Sequence, residues 1–393
     1  MAAAAVSLRV FILAGEPSGD RLGGALMAGL KQLAAGVSFD GIGGALMAEQ
    51  GLSSRFPMDE LSVMGLAEVL PKYRHLKRRI RETADAVLEA KPDVLITIDS
   101  PDFSLRVARL VKAQSNIRTV HYVAPSVWAW RPKRAVRMAE VIDHVLALLP
   151  FEPPYMEATG MDCDFVGHPV VAEPQATGAE IAAFRTEFGL GESPFVLALP
   201  GSRRSEVARL APDFGGALHR FTAQHPDFRI VVPAAAPVAG LVQDALKDWP
   251  AGTVLVDPNR FETATAKAHK RAAFAAADLA LAASGTVSLE LAAARTPMVI
   301  AYKFQWLTWQ IMKRMALIDT VTLVNLVSET RVVPECLGPE CTPETIAARL
   351  NALAANPSAQ LDAMELTMQR LGQGGEDPGL RAARAVLDRL PGR

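Results

Sequence analysis

The chain has little cysteine and no stretch that is apolar enough to cross a membrane. Its three cysteines, Cys163, Cys336 and Cys341, form no C-x-x-C pair, so the sequence favours neither a disulfide framework nor a zinc site and fits a reducing cytosol. No run approaches the ~18 apolar residues that a membrane span requires. The start, MAAAAVSLRVFILAG, has no cation before its apolar stretch and carries Arg9 inside it, unlike a secretory signal. We therefore expect a soluble or peripheral protein.

The sequence also lacks an excess of charge of either sign. Its 41 basic and 42 acidic residues leave a formal net charge of −1. This balance argues against a general nucleic-acid binder, which usually has a strongly basic domain. A length of 393 residues with 50% hydrophobic residues is sufficient for about two packed domains. We expect a globular chain with no nucleic-acid partner.

Short apolar runs alternate with segments of helical character along the chain. Such runs are typical of parallel strands that are covered on both faces. The pattern breaks at residues 170–179, VVAEPQATGA, which we interpret as an interdomain linker. The sequence therefore predicts an α/β protein with two parallel-sheet units and strands at Val10–Ala14, Phe39–Ile42, Val94–Ile98, Thr119–Val123, Val145–Leu148, Asp164–Val166, Phe195–Leu199, Ile230–Val232, Val254–Val256, Leu279–Ala282 and Met298–Ala301.

Two predicted strands in the first half end in polar turns. Ligands of parallel sheets bind beyond the carboxyl ends of the strands, so these turns are the first places to search. The turn at 14–20, AGEPSGD, matches neither the dinucleotide nor the Walker motif, and its Ser18 and Asp20 can cap the next helix. After the third strand, Asp102 can cap a helix in the same way. Asp99 has no such local role and is a candidate general base.

Two glycine turns in the second half lead from a strand into a helix. They are LPGSRRSE at 199–206 and ASGTVSLE at 283–290. Backbone N–H groups and the guanidinium of Arg203 suit a pyrophosphate, and the carboxylate of Glu290 can accept both hydroxyls of a ribose. Together the turns favour a nucleotide-diphosphate site, with two ordinary capped helices as the alternative.

The sequence offers little support for metal or nucleophilic chemistry. Asp162-Cys163-Asp164 imitates a D-x-D metal pair but precedes an apolar strand instead of following one. The histidines show no H-E-x-x-H spacing, and there is no G-x-S-x-G elbow. His168 in the segment VGHP fits a hinge or hydrogen-bonding role. We expect no metal and no cofactor.

One segment is typical of lipid contact. Residues 72–81, KYRHLKRRIR, contain six cations and no acid beside the apolar stretch 61–70, a combination that attracts an anionic bilayer. A solvated helix face is the alternative. The segment 304–318, with Trp306 and Trp309, is a weaker candidate that a buried helix explains almost as well. The predicted lipid-facing residues are Met64, Leu66, Val69, Leu70, Lys72, Arg74, Lys77, Arg78, Arg79 and Arg81.

Further segments accompany these motifs in a fixed order along most of the chain. They are AGEPSGDRLGG at 14–24, GIGG at 41–44, VMGLAEVL at 63–70, PDVLITIDSPDF at 92–103, HYVAPSVWAWRPKR at 121–134, LLPFE at 148–152, FVGHP at 165–169, LPGSRRSEV at 199–207, ASGTVSLEL at 283–291 and TPMVIAYK at 296–303. This series closely resembles the lipid-A-disaccharide synthase family of bacterial glycosyltransferases. The tryptophan-bearing block at 121–134 is the most specific of them.

The resemblance implies a fold, a reaction and a set of site residues. The fold is GT-B, with two Rossmann-like domains facing a cleft. The reaction joins UDP-2,3-diacylglucosamine to 2,3-diacylglucosamine 1-phosphate with inversion, giving a β(1→6) disaccharide and UDP without a metal. Asp99 is the expected base and Glu16 the alternative, with Ser18, Asp20 and Asp102 on the acceptor side. The expected UDP-binding residues are Gly201, Ser202, Arg203, Ser284, Gly285, Thr286, Glu290 and, on family grounds, Asn325.

The expected organisation follows from the same resemblance. An acceptor domain at 1–172, with a helix at about 378–393 packing back on it, precedes a UDP-sugar domain at 179–360, and the protein lies on the inner face of the bacterial inner membrane. Val324 and Gly338 depart from the family's usual Pro and Gln, which concerns local loops. The alternatives are a UDP-sugar 2-epimerase-like enzyme, which shares this two-domain architecture, and another GT-B UDP-sugar transferase. A nucleotide-sugar binding protein without activity is the rival from a different class.

Overall fold

The computed structural model describes residues 8–61, 66–304, 309–310 and 314–391, with the backbone alone at 66–73. The chain divides into two compact units. Unit 1 contains Met1–Ala172 and Gly374–Arg393, and unit 2 contains Glu173–Gln373. Within the described residues each unit has one six-stranded sheet, flanked by helices, as the alternating apolar runs predicted.

Unit 1 begins with β1 (Leu8–Ala14), α1 (Pro17–Leu33), β2 (Val37–Ile42), α2 (Ala45–Glu49), α3 (Leu66–Ala90), β3 (Val94–Ile98), α4 (Pro101–Lys112), β4 (Arg118–Tyr122), α5 (Lys133–Ala139), β5 (His144–Ala147), α6 (Pro153–Glu157) and β6 (Asp162–Phe165). The strands are parallel in the order β2-β1-β3-β4-β5-β6. Every residue of the central strand β3 is buried, because strands lie on both sides of it and helices cover the sheet.

Unit 2 contains α7 (Gly178–Glu187), β7 (Phe195–Leu199), α8 (Arg204–Gln224), β8 (Arg229–Pro233), α9 (Ala239–Ala245), β9 (Val254–Val256), α10 (Thr263–Ala276), β10 (Leu279–Ala283), α11 (Val287–Ala293), β11 (Met298–Tyr302), α12 (Leu323–Ser328), β12 (Glu335–Leu337), α13 (Pro343–Ala355) and α14 (Ser358–Arg370). Its parallel strand order is β12-β11-β10-β7-β8-β9. All carboxyl strand ends of a parallel sheet meet at one edge, so the loops after β7, β8, β9 and β10 lie together.

The last helix, α15 (Pro378–Asp388), belongs to unit 1 and packs against α1. Asp377 caps its first turn by accepting hydrogen bonds from the N–H groups of Gly379 and Leu380. Arg381 donates to the carbonyl of Phe165 at 2.9 Å, at the end of β6. The chain therefore returns to its first sheet after completing unit 2.

Each of the eleven predicted strands overlaps an observed one, and three have the predicted bounds: Val94–Ile98, Phe195–Leu199 and Val254–Val256. The sequence missed β12. This strand has only three residues, Glu-Cys-Leu, and pairs along one side with β11. It has no apolar run because a short edge strand needs little burial.

Candidate active site

A cavity of about 990 Å³ opens at the carboxyl edge of the unit 2 sheet. Its lining comes from the loops after β7, β8, β9 and β10 and from α10 and α11. The volume is within the ~300–1,000 Å³ typical of small-molecule sites. The structure brings together here seven of the residues that the sequence assigned to UDP: Gly201, Ser202, Arg203, Ser284, Gly285, Thr286 and Glu290.

The turn between β7 and α8 is held by one carboxylate. Gly201 has φ +118°, and a Cβ there would lie 2.7 Å from the Cβ of Glu206, so the turn requires glycine. The Glu206 carboxylate accepts from the N–H of Ser202 at 3.2 Å and from Arg203 Nη1 at 2.9 Å. Arg203 nevertheless keeps 61% of its side chain exposed, so its guanidinium remains accessible at the cavity wall.

Charged side chains of both signs line the cavity. The cations are Arg203, Lys267 and Lys270, and the carboxylates are Glu206 and Glu290. The Lys270 ammonium forms an ion pair with the Glu290 carboxylate. Because three cations stand against two carboxylates, the lining favours an anionic ligand such as a diphosphate.

Sequence reasoning missed several of these residues. The sequence analysis assigns no role to the Ala-rich stretch that becomes α10, yet Lys267 and Lys270 are three residues apart and share a helix face. Two lysines on a helix that is otherwise mostly alanine were the signal that could have found them. Asn259 and Phe261, which follow β9 and also line the cavity, have no sequence signal that we can name.

The structure does not bring Asn325 to this cavity. Asn325 is buried in α12, where its Nδ2 donates to the carbonyl of Val333 at 2.9 Å and its Oδ1 accepts from the N–H of Val333 at 3.0 Å. Nδ2 also donates to Thr320 at 3.2 Å. The amide therefore ties α12 to the segment before β12, and we do not carry Asn325 into the proposed UDP site.

In unit 1, non-glycine residues adopt left-handed backbone at two neighbouring strand ends. Asp99 and Ser100, after β3, have φ +49° and +44°, and Val123, after β4, has φ +86°. Each such residue costs on the order of 1–3 kcal/mol, and this strain concentrates at functional sites. The Asp99 N–H donates to the carbonyl of Tyr122 at 3.0 Å, and the Asp99 carbonyl accepts from the Ser104 hydroxyl at 2.8 Å. The backbone of Asp99 is thus fixed at the carboxyl edge of the sheet.

The turn after β1 lies against the turn after β3. The two strands are paired, with Ala14 opposite Ile98, and a Cβ added to Gly15 would lie 2.6 Å from Ser100 Oγ. Glu16, the N-cap residue of α1, and Asp99 are therefore found at the same edge of the unit 1 sheet. The structure brings both candidate bases to one place.

The other residues assigned to the acceptor side have different surroundings. Asp20 is buried, and its carboxylate accepts from the N–H groups of Gly44, Leu46 and Met47 at 2.8, 3.0 and 3.0 Å. It caps α2, not α1, and its oxygens are occupied, so we do not carry it into the proposed site. Ser18 and Asp102 are exposed in the first turns of α1 and α4. Neither forms the expected cap, since no side chain caps those helices.

A buried carboxylate holds the loop that follows β4. Glu152 is only 4% exposed, and its carboxylate accepts from the Trp128 indole at 3.2 Å and from the N–H groups of Leu148 and Leu149 at 3.1 and 3.0 Å. Burial raises the pKa of Glu152 to about 7 against these hydrogen bonds. The Trp128 ring also packs edge-on against Phe151, with centroids 5.1 Å apart. The loop after β4 is therefore braced against the loop after β5.

The basic residues predicted to contact lipid fall into two groups. Arg74, Lys77, Arg78 and Arg81 are exposed at spacings that place them on one face of α3. Arg79 differs, because its Nε and Nη2 donate to Glu60 at 2.8 and 2.9 Å. These hydrogen bonds lower the pKa of Glu60 to about 2. Arg79 is thus engaged in a tertiary ion pair, and we exclude it from the proposed lipid surface.

The other residues predicted to contact lipid fall outside the described side chains. Met64 and Trp306 lie outside the described residues, as do the side chains of Leu66, Val69, Leu70 and Lys72. In the part of the chain that the structure describes, no helix combines the length and the hydropathy needed to cross a bilayer.

The D-x-D pair takes part in an ion-pair network. Asp162 and Asp164 pair with Arg389 at 2.9 and 3.2 Å. Arg118 also pairs with Asp162, and His144 Nε2 lies 2.8 Å from Asp164. The two carboxylates therefore connect β6 to the residues after α15.

The chain is similar in sequence to known proteins along most of its length. The family model described as lipid-A-disaccharide synthetase matches residues 10–383. The chain is 74% identical over 385 residues to a lipid-A-disaccharide synthase of Ruegeria pomeroyi, covering 98% of this chain and 96% of that protein. It is 48% identical over 389 residues to the lipid-A-disaccharide synthase of Rhodospirillum centenum, covering 97% and 94%.

Solved structures share the fold at low sequence identity. A UDP-GlcNAc 2-epimerase from Neisseria meningitidis, bound to UDP-GlcNAc, matches with a TM-score of 0.61 and 14% identity over 98% of this chain and 99% of that chain. A glycosyltransferase from Rickettsia africae matches with a TM-score of 0.58 and 10% identity over 98% and 97%. These likenesses confirm the GT-B-like fold class, and the sequence matches show that the chain belongs to the lipid-A-disaccharide synthase family of glycosyltransferases.

Proposed function

We propose that the protein transfers 2,3-diacylglucosamine from UDP-2,3-diacylglucosamine to the 6-hydroxyl of 2,3-diacylglucosamine 1-phosphate. The products are a β(1→6) disaccharide 1-phosphate and UDP, with inversion at the anomeric carbon. The observation that carries the proposal is the convergence of two predicted glycine turns, Arg203 and Glu290 on one cavity in a chain of this family.

The unit 2 cavity supports the assignment of the donor site. Departure of UDP places negative charge on a diphosphate, and a guanidinium with backbone N–H groups stabilises that charge. We assign this role to Arg203, to the N–H of Gly201 and to the turn at Ser284–Thr286, since the N–H of Ser202 already donates to Glu206. We assign the ribose hydroxyls to Glu290. Lys270 keeps the Glu290 charge balanced beside an anionic ligand.

We assign the general base to Asp99. Inversion in one displacement requires a base that removes the proton of the attacking hydroxyl as the bond to UDP breaks. The strained backbone of Asp99 and its position at a carboxyl strand edge support this role. Glu16, at the same edge, is the next candidate.

We propose that the protein works in the cytoplasm as a peripheral enzyme on the inner face of the inner membrane. Both substrates carry acyl chains, and moving these into water costs about 0.8 kcal/mol per CH₂. The exposed cations of α3 support contact with anionic lipid. The predicted partner surface is therefore the bilayer that holds the substrates.

The reaction is tested by incubating the full-length protein with both substrates and determining the anomeric configuration of the disaccharide by NMR. The proposal requires a β-linked product. An α-linked disaccharide would overturn inversion and point to a covalent intermediate or a front-face reaction.

We also expect EDTA to leave turnover unchanged. Asp162 and Asp164 are engaged by Arg389, and the charge of the leaving diphosphate is assigned to Arg203. A strict Mg²⁺ requirement would contradict this part of the proposal.

A further inference from the structure

A second basic surface lies in unit 1, apart from α3. The segment 131–137, RPKRAVR, has four cations and no acid. Neighbouring carboxylates are already engaged, since Glu140 pairs with Arg109 and Asp143 pairs with Lys112. The segment therefore has a strong local positive charge, although the net charge of the whole chain is near zero. The four cations, which are exposed except for half-buried Arg134, are Arg131, Lys133, Arg134 and Arg137.

This basic segment is fixed to the protein core. Its first residue, Arg131, has φ +50°, and its guanidinium stacks over the Trp130 ring at 4.2 Å from the centroid. Two residues earlier in the loop, Trp128 is held by the buried carboxylate of Glu152. At the other end, Ala135 and Met138 of α5 are buried. The cations therefore stand on a braced loop and helix, which lowers the entropic cost of binding a ligand.

The segment also belongs to the edge that carries Asp99. The loop that leads to it leaves β4 at Val123, directly after Tyr122, whose carbonyl accepts from the Asp99 N–H. A substrate whose hydroxyl approaches Asp99 would therefore have the loop after β4 beside it. Nothing in the donor role assigned to unit 2 uses these cations.

We propose that the basic segment binds the phosphate monoester of the acceptor sugar. The inference rests on the proposed function, because that reaction requires an acceptor with a 1-phosphate. A phosphate monoester carries about −1.5 to −2 charges at neutral pH and presents three acceptor oxygens, which suit guanidinium groups with fixed geometry. Binding of the phosphate would orient the sugar so that its 6-hydroxyl, and not the 1-position, faces the base.

The test compares two acceptors with two forms of the full-length protein. The acceptors are 2,3-diacylglucosamine 1-phosphate and its phosphate-free counterpart, both in neutral detergent micelles, and the readouts are kcat/KM for acceptor and KM for donor. We expect the wild type to prefer the phosphorylated acceptor at least tenfold. The variant should use both acceptors about equally with an unchanged donor KM; its substitutions are Arg131→Gln, Lys133→Gln, Arg134→Gln and Arg137→Gln.

A matched control removes four exposed cations elsewhere, and it should keep the wild-type preference. Comparable melting temperatures for all three proteins would exclude a folding defect. If the basic variant retains the preference, the inference is overturned while the proposed function stands. If the wild type forms no disaccharide from either acceptor, both fail. The control substitutions are Lys91→Gln, Arg220→Gln, Lys247→Gln and Arg295→Gln.

The phosphate could also belong to a lipid headgroup of the surrounding surface. Repeating the assay in micelles doped with anionic lipid separates these sources. One outcome is that the basic variant loses activity only on the anionic surface and keeps its acceptor preference in neutral micelles. That result would assign the segment to lipid headgroups and overturn the inference. A loss of preference in both kinds of micelle supports it.

Discussion

The ammonium of Lys270 in α10 pairs with the carboxylate of Glu290 in α11 on the wall of the unit 2 cavity. The pair lets the cavity contain a carboxylate for a ribose without repelling a diphosphate. Removal of the cation alone leaves the negative charge facing the ligand, whereas removal of both leaves the net charge of the cavity wall unchanged.

We therefore expect Lys270→Met to weaken UDP binding at least tenfold. The double variant Lys270→Met/Glu290→Gln should recover part of that loss, because the repulsive carboxylate is gone. Isothermal titration calorimetry of UDP with the two single variants and the double variant measures the coupling. Strictly additive losses would show that the ion pair does not control the charge of the site.

Arg203 and its neighbour Arg204 provide a matched pair of substitutions. Arg203 lines the cavity, whereas exposed Arg204 is not among its lining residues. Charge-assisted hydrogen bonds contribute roughly 1.5–3 kcal/mol each, so Arg203→Ala should weaken UDP binding tenfold or more. Arg204→Ala should change it by less than a factor of about three. Equal effects of the two variants would move the diphosphate away from Arg203.

The variant Asp99→Asn tests the assignment of Asp99 as the general base. General-base catalysis contributes ~10²–10⁴-fold, so turnover should fall by about that factor while UDP affinity stays within a factor of two or so. Asp85→Asn, at an exposed position of α3, is the control and should leave both quantities unchanged. Turnover of Asp99→Asn within a few-fold of wild type would transfer the role to Glu16.

Substitutions in the two groups of basic residues on α3 should affect different properties, vesicle binding in one case and thermal stability in the other. Changing Arg74, Lys77, Arg78 and Arg81 to Ser should reduce sedimentation with anionic vesicles at low salt, because each cation near the surface contributes ~1 kcal/mol that salt screens. Arg79→Ser should instead lower the melting temperature by a few degrees, since Arg79 pairs with Glu60 and stacks on Phe56 at 4.3 Å. Equal vesicle binding of the wild type and the fourfold variant would show that this face of α3 is an ordinary solvated helix face.

We expect the stability of the protein to depend on pH through Glu152. Burial raises its pKa to about 7 in the folded protein from an ordinary value of 4.5. The contribution of Glu152 to the free energy of unfolding is therefore fully present below about pH 4.5 and is lost as the pH rises through 7. The loss is on the order of 3 kcal/mol. Thermal unfolding at pH 5 and pH 8 should show wild type losing stability relative to Glu152→Gln. A constant difference between the two proteins would contradict the raised pKa.

Sequence pattern predicted the sheets well because burial is encoded locally. Val94–Ile98 is apolar except for the buried Thr97, and Phe195–Leu199 is a continuous apolar run. Both lie between polar or proline residues, as is typical of strands that are covered on both faces. The glycine at 201 is likewise a local requirement of the turn. These features could be predicted from spacing alone.

The ion pairs that set the local charge of the cavity and of α3 could not be predicted from spacing. Lys270 and Glu290 are 20 residues apart in different helices, and Arg79 and Glu60 are 19 residues apart. Only the packing of the elements brings such pairs together. The same holds for Asp20, whose carboxylate caps a helix that begins 25 residues later, at Ala45.

The most direct measurement of the central claim is the stoichiometry of the reaction. The full-length protein is incubated with UDP-2,3-diacylglucosamine, with and without 2,3-diacylglucosamine 1-phosphate, and UDP and disaccharide are quantified by mass spectrometry. We predict one disaccharide for each UDP released, and neither product when the acceptor is omitted. UDP released without disaccharide, or a donor isomerised at C2 with no disaccharide formed, would contradict the account.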